Sequence, residues 1–315
     1  MTWATEAERG SARLLRAALW TCLRAGWPVG RMLLWPITGW FLLTSGPARM
    51  ASRDYLRRVL GRPARTSDVA RHFHTFASAI LDRVFLLSGR LGGFRIRTEG
   101  LEHVTAVLAR GQGCILLGAH LGSFEVLRFI AQDSPVPVWA LMYRRNAGAL
   151  TRLLDRLAPD MRDSIIEIGH PASMIRAHEC VERGEIVGIL ADRTPPGHRV
   201  VEAPFLGSPA MFPAGPFVLA STLGVPVVLF HGVRLGPRRY AVRFEPFADG
   251  VTLRRATRDA DLRRWAAQYA AALGRACLAH PYNWFNFFPF WGLHAAVETL
   301  PAAMPSVPAR PNARG

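Results

Sequence analysis

The sequence predicts an α/β fold with a mostly parallel central sheet flanked by helices. Beyond Gly93, short β-like apolar runs alternate with longer helical stretches, and this alternation is typical of parallel strands joined by crossover helices. The predicted strands are Phe94–Arg97, Cys114–Leu117, Val136–Met142, Ser164–Ile168, Ile186–Leu190, Pro226–Phe230 and Tyr240–Phe244. The predicted helices are Leu101–Arg110, Ser123–Gln132, Ala147–Leu157, Ala172–Glu182, Pro213–Leu223 and Asp259–Ala279.

The most lipophilic part of the chain is residues 11–48. Arg24 and Arg31 interrupt this stretch, and its longest uncharged piece is the 17 residues from Met32 to Ala48. A membrane-spanning helix needs about 20 apolar residues, so this piece lies at the lower limit. Arginines flank both sides, and tryptophans are spread along the stretch at Trp20, Trp27, Trp35 and Trp40. The pattern favours an amphipathic anchor lying in the membrane interface; the alternative is a helical hairpin packed on the rest of the protein.

Three regions follow from these patterns. Residues 1–50 are predicted to form the hydrophobic membrane anchor. Residues 51–300 are predicted to form the α/β domain, beginning with a helical pattern that extends to about Leu91. Residues 301–315 are rich in proline and alanine and are predicted to be a disordered tail.

Charge and residue usage restrict the function. The formal net charge is +16, and all 39 basic residues are arginine. Without lysine, Schiff-base chemistry and a Walker-type phosphate loop are excluded. The charge indicates an anionic partner, and we expect an anionic membrane surface. We do not expect nucleic acid, because the arginines are scattered and form no recognisable module. The four cysteines and ten histidines show no metal-ligand spacing, so we expect neither a metal nor a cofactor.

The segment from Gly118 to Glu125 carries the strongest chemical signal. It follows a predicted buried strand and opens a predicted helix, where α/β sheets present their ligand sites. His120 could take a proton from a hydroxyl, because its ordinary pKa lies near neutrality. Glu125 could orient the imidazole if Gly122 supplies a joint between the two residues. The alternative is a loop histidine near a helix-start glutamate, since this spacing also arises by chance.

Several motifs together resemble the lysophospholipid-acyltransferase superfamily, in particular its bacterial branch of lipid A biosynthesis acyltransferases. The His120–Glu125 spacing matches the family's His-x-x-x-x-Asp/Glu signature. The other matching segments are residues 51–58, the helix with His72, Phe73 and Phe76 that leads into Leu81–Arg83, Met142–Asn146, Leu190–Arg193, Pro204–Gly207, Phe212–Pro216 and His280–Phe287.

The resemblance implies roles for individual residues. His120 would be the general base that deprotonates an acceptor hydroxyl, and Glu125 its orienting partner. Arg144, next to Tyr143, would hold a phosphate or another anion of the acceptor; the alternative is a surface arginine. Asp192 resembles the acidic position of the family; the alternative is a turn or N-cap residue.

The resemblance also implies a binding position at Gly215. Tyr143, Arg144, Asp192 and Gly215 are the predicted substrate-binding residues. Ala214 stands where glycerolipid members of the superfamily have the glutamate of a Pro-Glu-Gly motif, which favours a glycolipid or another large acceptor. The aromatic segment Trp284–Trp291 could line an acyl channel, but core packing is the interpretation we favour.

The predicted reaction is direct transfer of a fatty acyl group from an acyl thioester to a lipid hydroxyl. The chain has no Gly-x-Ser-x-Gly elbow, so no covalent intermediate is expected. The donor would be acyl carrier protein or acyl-CoA, and the site of action the cytoplasmic face of the bacterial inner membrane. The alternatives are a thioesterase or lipid hydrolase that uses the same base on water, and a non-catalytic membrane-binding protein.

Overall fold

The computed structural model describes residues 12–126, 136–143, 153–154, 156–157, 164–169, 171–195 and 197–291. Its centre is a seven-stranded sheet with the order β1-β9-β8-β2-β5-β3-β4. Every neighbouring pair is parallel except β8 and β9, which are antiparallel. The seven strands are β1 Arg95–Glu99, β2 Cys114–Gly118, β3 Val138–Met142, β4 Ile165–Glu167, β5 Ile186–Leu190, β8 Val227–Gly236 and β9 Arg239–Ala248. The mostly parallel sheet predicted from the sequence is therefore confirmed.

A separate two-stranded hairpin was not predicted from the sequence. Its strands are β6 (Val200–Phe205) and β7 (Ser208–Pro213), and its turn places Leu206 and Gly207 at positive φ, 47° and 82°. Two central residues at positive φ are typical of a tight hairpin turn. Three prolines lie within the two strands, and proline inside an apolar run argues against a strand. The hairpin tolerates them because, within the described residues, each strand pairs only with the other and so keeps an open edge.

Helices cover both faces of the sheet. In chain order they are α1 Ala12–Ala25, α2 Trp27–Thr44, α3 Gly46–Leu60, α4 Thr66–Leu87, α5 Leu101–Leu108, α6 Pro171–Glu182, α7 Gly215–Leu223 and α8 Arg258–Ala279. The helices predicted at α5, α6, α7 and α8 are confirmed. Those predicted at Ser123–Gln132 and Ala147–Leu157 lie mostly outside the described residues. The predicted tail, residues 301–315, lies wholly outside them.

The sheet separates two hydrophobic layers because side chains alternate along each strand. On β8, Leu229 packs on the face that α8 covers with Tyr269 and Leu273. The next residue, Phe230, packs on the face that α5 covers with Val104. Burial on both faces explains why β2 and β5 appear in the sequence as almost continuous apolar runs.

The N-terminal helices α1 and α2 form a hairpin that packs on α4. Trp27 and Leu34 form a buried cluster with Leu81 and Phe85, and a side chain at Gly30 would come within 2.8 Å of Leu81. The inner face of the hairpin is therefore closely packed, as the helical-hairpin alternative required. The predicted region boundary at residue 50 stays a prediction, and α3 runs across it.

The outer face of α1, α2 and the start of α3 is apolar and exposed. Its exposed side chains are Trp20, Met32, Trp35, Ile37, Trp40, Phe41, Leu43 and Met50. Over the part of the chain that the structure describes, no helix combines the length and apolar character needed to cross a bilayer.

Candidate active site

Two parallel strands bring the central residues of the site together. β2 and β5 are hydrogen-bonded neighbours, and Gly118 at the end of β2 is in register with Leu190 at the end of β5. The Ala191 backbone N–H extends this pairing by donating to the Gly118 carbonyl at 2.9 Å. His120 and Asp192 each lie two residues past their strand. The register therefore places them side by side at the carboxyl edge of the sheet, where α/β folds bind ligands.

His120 and Asp192 form a hydrogen-bonded pair. The Nδ1 atom of His120 lies 2.8 Å from Oδ1 of Asp192, and the His120 backbone N–H donates to Oδ2 at 3.0 Å. Burial alone would raise the pKa of Asp192, but the adjacent imidazole and Arg193 lower it to about 2. The carboxylate is therefore ionised and can only accept hydrogen bonds. Neutral His120 must then carry its proton on Nδ1, which leaves Nε2 as the basic nitrogen.

The surroundings of His120 favour its neutral form. The pKa of His120 lies below its ordinary value because the ring is desolvated and because the Arg193 cation is near; the charges of Asp192 and Glu125 oppose these effects. The side chain nevertheless remains 32% exposed, so a substrate can reach it. A neutral, accessible imidazole beside a fixed carboxylate is the arrangement that a general base needs.

Glu125 does not make the contact that the sequence predicted. Its Oε1 atom pairs with Nε of Arg83 on α4 at 2.6 Å, and its Oε2 atom accepts a hydrogen bond from the Ser123 hydroxyl at 2.9 Å. Asp192 occupies the Nδ1 side of His120 instead, because the sheet register aligns those two residues. Asp192 is therefore the carboxylate that is hydrogen-bonded to the His120 ring, and the orienting role predicted for Glu125 stays a prediction.

The loop after His120 is fixed against β8. Gly122 has a positive φ of 76°, and a Cβ atom there would lie 1.9 Å from the Gly232 carbonyl oxygen. The Ser123 backbone N–H donates to that same oxygen at 2.8 Å. Only glycine fits this conformation and this close approach. Gly122 is thus a packed contact point, where the sequence analysis expected a flexible joint.

The C-terminal aromatic segment holds the other side of this loop. The Gly122 backbone N–H donates to the Asn283 carbonyl at 2.8 Å, and the Phe285 backbone N–H donates to the His120 carbonyl at 2.9 Å. Arg193 donates through Nη2 to the Phe285 carbonyl at 2.7 Å. Between these contacts, the Trp284 indole N–H donates to Oδ2 of Asp192 at 2.9 Å. Trp284 is fully buried, as the core-packing interpretation predicted.

The remaining predicted site residues lie around this centre. Tyr143 directly follows β3 at the same edge of the sheet, and its ring meets His198 edge-on at 6.4 Å. Gly215 begins α7 and is exposed, next to the buried Ala214. The described contacts do not join Tyr143 or Gly215 to the His120–Asp192 pair. Arg144 lies outside the described residues. The roles predicted for these three residues in substrate binding stay predictions.

The cysteine thiols are poor candidates for a nucleophile. All four are buried, and burial raises the pKa of Cys114 to about 12. A thiol with a raised pKa is mostly protonated at neutral pH and reacts slowly. Within the described residues, no three His, Cys, Asp or Glu side chains are grouped as metal ligands would be.

A histidine at the carboxyl edge of a parallel sheet, held through Nδ1 by a buried carboxylate, is the arrangement found in enzymes whose histidine activates a hydroxyl or water. Residues 44–292 match the family model described as bacterial lipid A biosynthesis acyltransferase. The chain therefore belongs to that family, which confirms the resemblance seen in the sequence motifs.

A curated relative points to the same chemistry. The chain is 24% identical over 208 residues to a phosphatidylinositol mannoside acyltransferase of Mycobacterium tuberculosis (strain ATCC 25618 / H37Rv). The similar region covers 61% of this chain and 58% of the relative, so the chain spans less than two thirds of that relative's length.

Proposed function

We propose that this protein transfers a fatty acyl group from an acyl thioester to a hydroxyl of a lipid or glycolipid, with His120 as the general base. The observation that carries the proposal is the 2.8 Å contact between Nδ1 of His120 and the ionised Asp192. Membership of an acyltransferase family supports acyl transfer as the reaction.

In the proposed mechanism the acceptor hydroxyl adds directly to the thioester carbonyl and the thiol is then eliminated. Nε2 of His120 takes the proton of the acceptor hydroxyl while the oxygen attacks the thioester carbonyl. The tetrahedral intermediate then collapses, the carbon–sulfur bond breaks, and the imidazolium returns its proton to the leaving thiolate. Asp192 stabilises the imidazolium that forms between these steps. The products are an acyl ester and a free thiol, and no acyl-enzyme is formed.

Arg193 is the proposed partner for the negative charge on the tetrahedral oxygen. The backbone N–H groups of His120, Gly122 and Ser123 all donate to acceptors inside the protein. The Arg193 guanidinium is close enough to lower the pKa of His120. A fixed cation beside the reacting centre stabilises charge that develops in the transition state.

The proposed acceptor is a large lipid or glycolipid, and the proposed donor is acyl carrier protein or acyl-CoA. Tyr143, Arg144 and Gly215 are proposed to contact the acceptor. The M. tuberculosis relative is named for acylating a phosphatidylinositol mannoside, and Ala214 replaces the glutamate of glycerolipid members; both observations favour a glycolipid. The net charge of +16 suits an acidic donor carrier.

The proposed location is the cytoplasmic face of the bacterial inner membrane. The exposed apolar face of α1, α2 and α3 supports this, because exposed patches of this kind commonly mark lipid or protein contacts. Arg16, Arg24 and Arg31 accompany the exposed tryptophans, a combination that suits an anionic headgroup region. At that face a lipid acceptor and a cytosolic donor can meet at His120.

The test is an acyl-transfer assay with the full-length protein. Labelled palmitoyl-CoA and palmitoyl-acyl carrier protein are each incubated with vesicles of bacterial lipid extract, and acylated lipid and free fatty acid are measured by mass spectrometry. We expect acylated lipid that depends on the acceptor, and no labelled protein when acceptor is left out. Free fatty acid as the main product would identify a thioesterase instead. A stoichiometric acyl-protein adduct would contradict direct transfer.

A further inference from the structure

We propose that Trp284 is a positioning residue for catalysis, which fixes the carboxylate of Asp192 through its indole N–H. The inference rests on the proposed role of His120 as the base. It concerns a residue that the sequence analysis assigned to an acyl channel or to the core.

The contacts of Asp192 show what Trp284 does. Oδ2 accepts hydrogen bonds from the Trp284 indole at 2.9 Å and from the His120 backbone at 3.0 Å, and Oδ1 accepts from Nδ1 of His120 at 2.8 Å. The carboxylate cannot rotate without breaking one of these three bonds. Its side chain is 1% exposed, so water cannot readily replace a lost donor. Trp284 therefore fixes the direction from which Asp192 meets the imidazole.

A buried hydrogen-bonded chain fixes Trp284 in turn. The Trp284 carbonyl lies 2.9 Å from Nε2 of His72 on α4. A carbonyl only accepts, so His72 carries its proton on Nε2, and its Nδ1 accepts from the Ser52 hydroxyl at 2.9 Å. Burial lowers the pKa of His72 to about 4, so this chain stays neutral and intact at the pH of an assay. It connects α3 and α4 to the catalytic pair.

Aromatic packing restrains the Trp284 ring as well. Tyr55 and Phe290 meet it edge-on with centroids 5.0 Å away, and Phe205 does so at 5.3 Å. The same cluster contains Trp291, whose indole N–H donates to the Phe205 carbonyl at 3.2 Å. Trp291 is partly buried in this cluster, meets the Trp284 ring at 6.1 Å and makes no described contact with Asp192, so it serves as the control.

The experiment compares Trp284→Phe with Trp291→Phe in the full-length protein. Each substitution removes one indole N–H and keeps an aromatic ring in the cluster. We expect Trp284→Phe to lower kcat about 10-fold to 100-fold with KM for the acyl donor within about 2-fold. Trp291→Phe should keep kcat within about 3-fold of the wild type. A kcat for Trp284→Phe equal to that of Trp291→Phe would overturn the proposal.

A pH profile separates positioning from packing. The indole N–H stabilises the negative charge of Asp192, so its removal should let Asp192 attract the Nδ1 proton more strongly. The acid limb of kcat/KM should therefore move to higher pH in Trp284→Phe and stay in place in Trp291→Phe. The other charged groups around His120, which are Arg193 and Glu125, are the same in both variants. If the acid limb of kcat/KM stays at the wild-type pH in Trp284→Phe, the role of Trp284 is packing alone.

If Trp284→Phe does not fold, a side chain closer in shape to tryptophan can be tested instead. Benzothienylalanine at position 284 replaces the N–H by sulfur and keeps the shape of the bicyclic ring, and it should reproduce the loss in kcat and the shifted limb. Wild-type behaviour of this variant would overturn the proposal. Failure of the underlying mechanism would show separately, as transfer activity that survives His120→Ala.

Discussion

Tryptophan side chains are exposed near the N-terminal end of the described chain, and one near its C-terminal end is fully buried. Trp284 is 0% exposed and donates to the carboxylate of the active site. Trp20, Trp35 and Trp40 on the N-terminal helices are 62%, 66% and 63% exposed, and the Trp35 ring also stacks on His74 of α4 at 4.4 Å. The same residue type therefore fixes a buried carboxylate in one region and lies on the exposed surface in the other. Composition alone does not distinguish these two uses.

Trp27 lies in the same N-terminal hairpin as the exposed tryptophans, yet it is buried and makes a polar contact. Its ring is buried against α4, and its indole N–H donates to Oδ1 of Asp82 at 2.7 Å. Asp82 also accepts from Nε of Arg234 at 3.0 Å and from the Tyr240 hydroxyl at 2.8 Å. The inner face of the hairpin is thus joined to α4, β8 and β9 by polar contacts, while its outer face carries exposed apolar side chains.

The largest expected effect comes from the catalytic region. Asp192→Asn should lower kcat by about 10³-fold to 10⁴-fold, because the amide cannot stabilise the imidazolium and favours the wrong imidazole tautomer. Steady-state kinetics of acyl transfer measure the loss. The control is Asp259→Asn, which changes an exposed carboxylate paired with Arg199. Equal kcat values for the two variants would contradict the assignment of Asp192.

The second effect tests the junction between the regions. Asp82→Ala should lower the free energy of unfolding by about 3–5 kcal/mol, because it leaves the Arg234 cation mostly buried without its partner. Denaturant unfolding measures this change. Glu99→Ala, which removes an exposed partner of Arg243, should cost less than about 0.5 kcal/mol. Similar losses for both variants would show that Asp82 does not join the two regions.

The third effect tests the outer face of the N-terminal helices. Replacing Trp20, Trp35 and Trp40 together by glutamine should lower binding to anionic vesicles by about 10-fold or more, since three interfacial aromatic anchors are lost. Vesicle co-sedimentation measures it. Ile175→Gln on α6 is the control, because Ile175 is equally exposed in another region. Substitution is preferable to deleting residues 1–48, because deletion would also uncover Leu81 and Phe85. Unchanged sedimentation of the triple variant would place the membrane contact elsewhere.

The smallest effect is a shift in pH dependence. His120 acts as a base only when it is neutral, and burial together with Arg193 lowers its pKa below the ordinary value of 6.5. Activity should therefore be retained at neutral pH and be lost as pH falls through this lowered pKa. The acid limb of kcat/KM against pH measures it. A limb centred above 6.5 would contradict the electrostatic account of the site.

Most of the fold could be predicted from the sequence because the strands of the sheet are short, apolar and separated by helical patterns. The hairpin of β6 and β7 could not, because Pro204, Pro209 and Pro213 resemble loop residues until their pairing is known. The alternative helical hairpin describes the inner face of α1 and α2, and the membrane anchor stays a prediction for their exposed outer face. Periodicity could not show that both faces are occupied, one by α4 and the other by exposed apolar residues.

The contact at the centre of the candidate site was not predicted. The sequence singled out His120 from one motif and Asp192 from a second motif, but it did not pair them. Each of the two residues follows the end of a buried strand by two positions. Because the two strands are parallel and their ends are in register, this equal spacing in the sequence brings the side chains into contact. Glu125 is close in sequence, but Arg83 from α4 binds it. The role of Trp284 depends on a contact across 92 residues of chain, which no local pattern encodes.

The central claim is that His120 is the base, and one comparison tests it most directly. His120→Ala and the surface control His178→Ala are purified as full-length proteins, and acyl transfer to lipid vesicles is measured beside thermal unfolding. We predict that His120→Ala loses at least about 10³-fold in kcat with an unchanged Tm, and that His178→Ala keeps wild-type kcat. A folded His120→Ala variant that retains transfer within about 10-fold of the wild type would contradict the account.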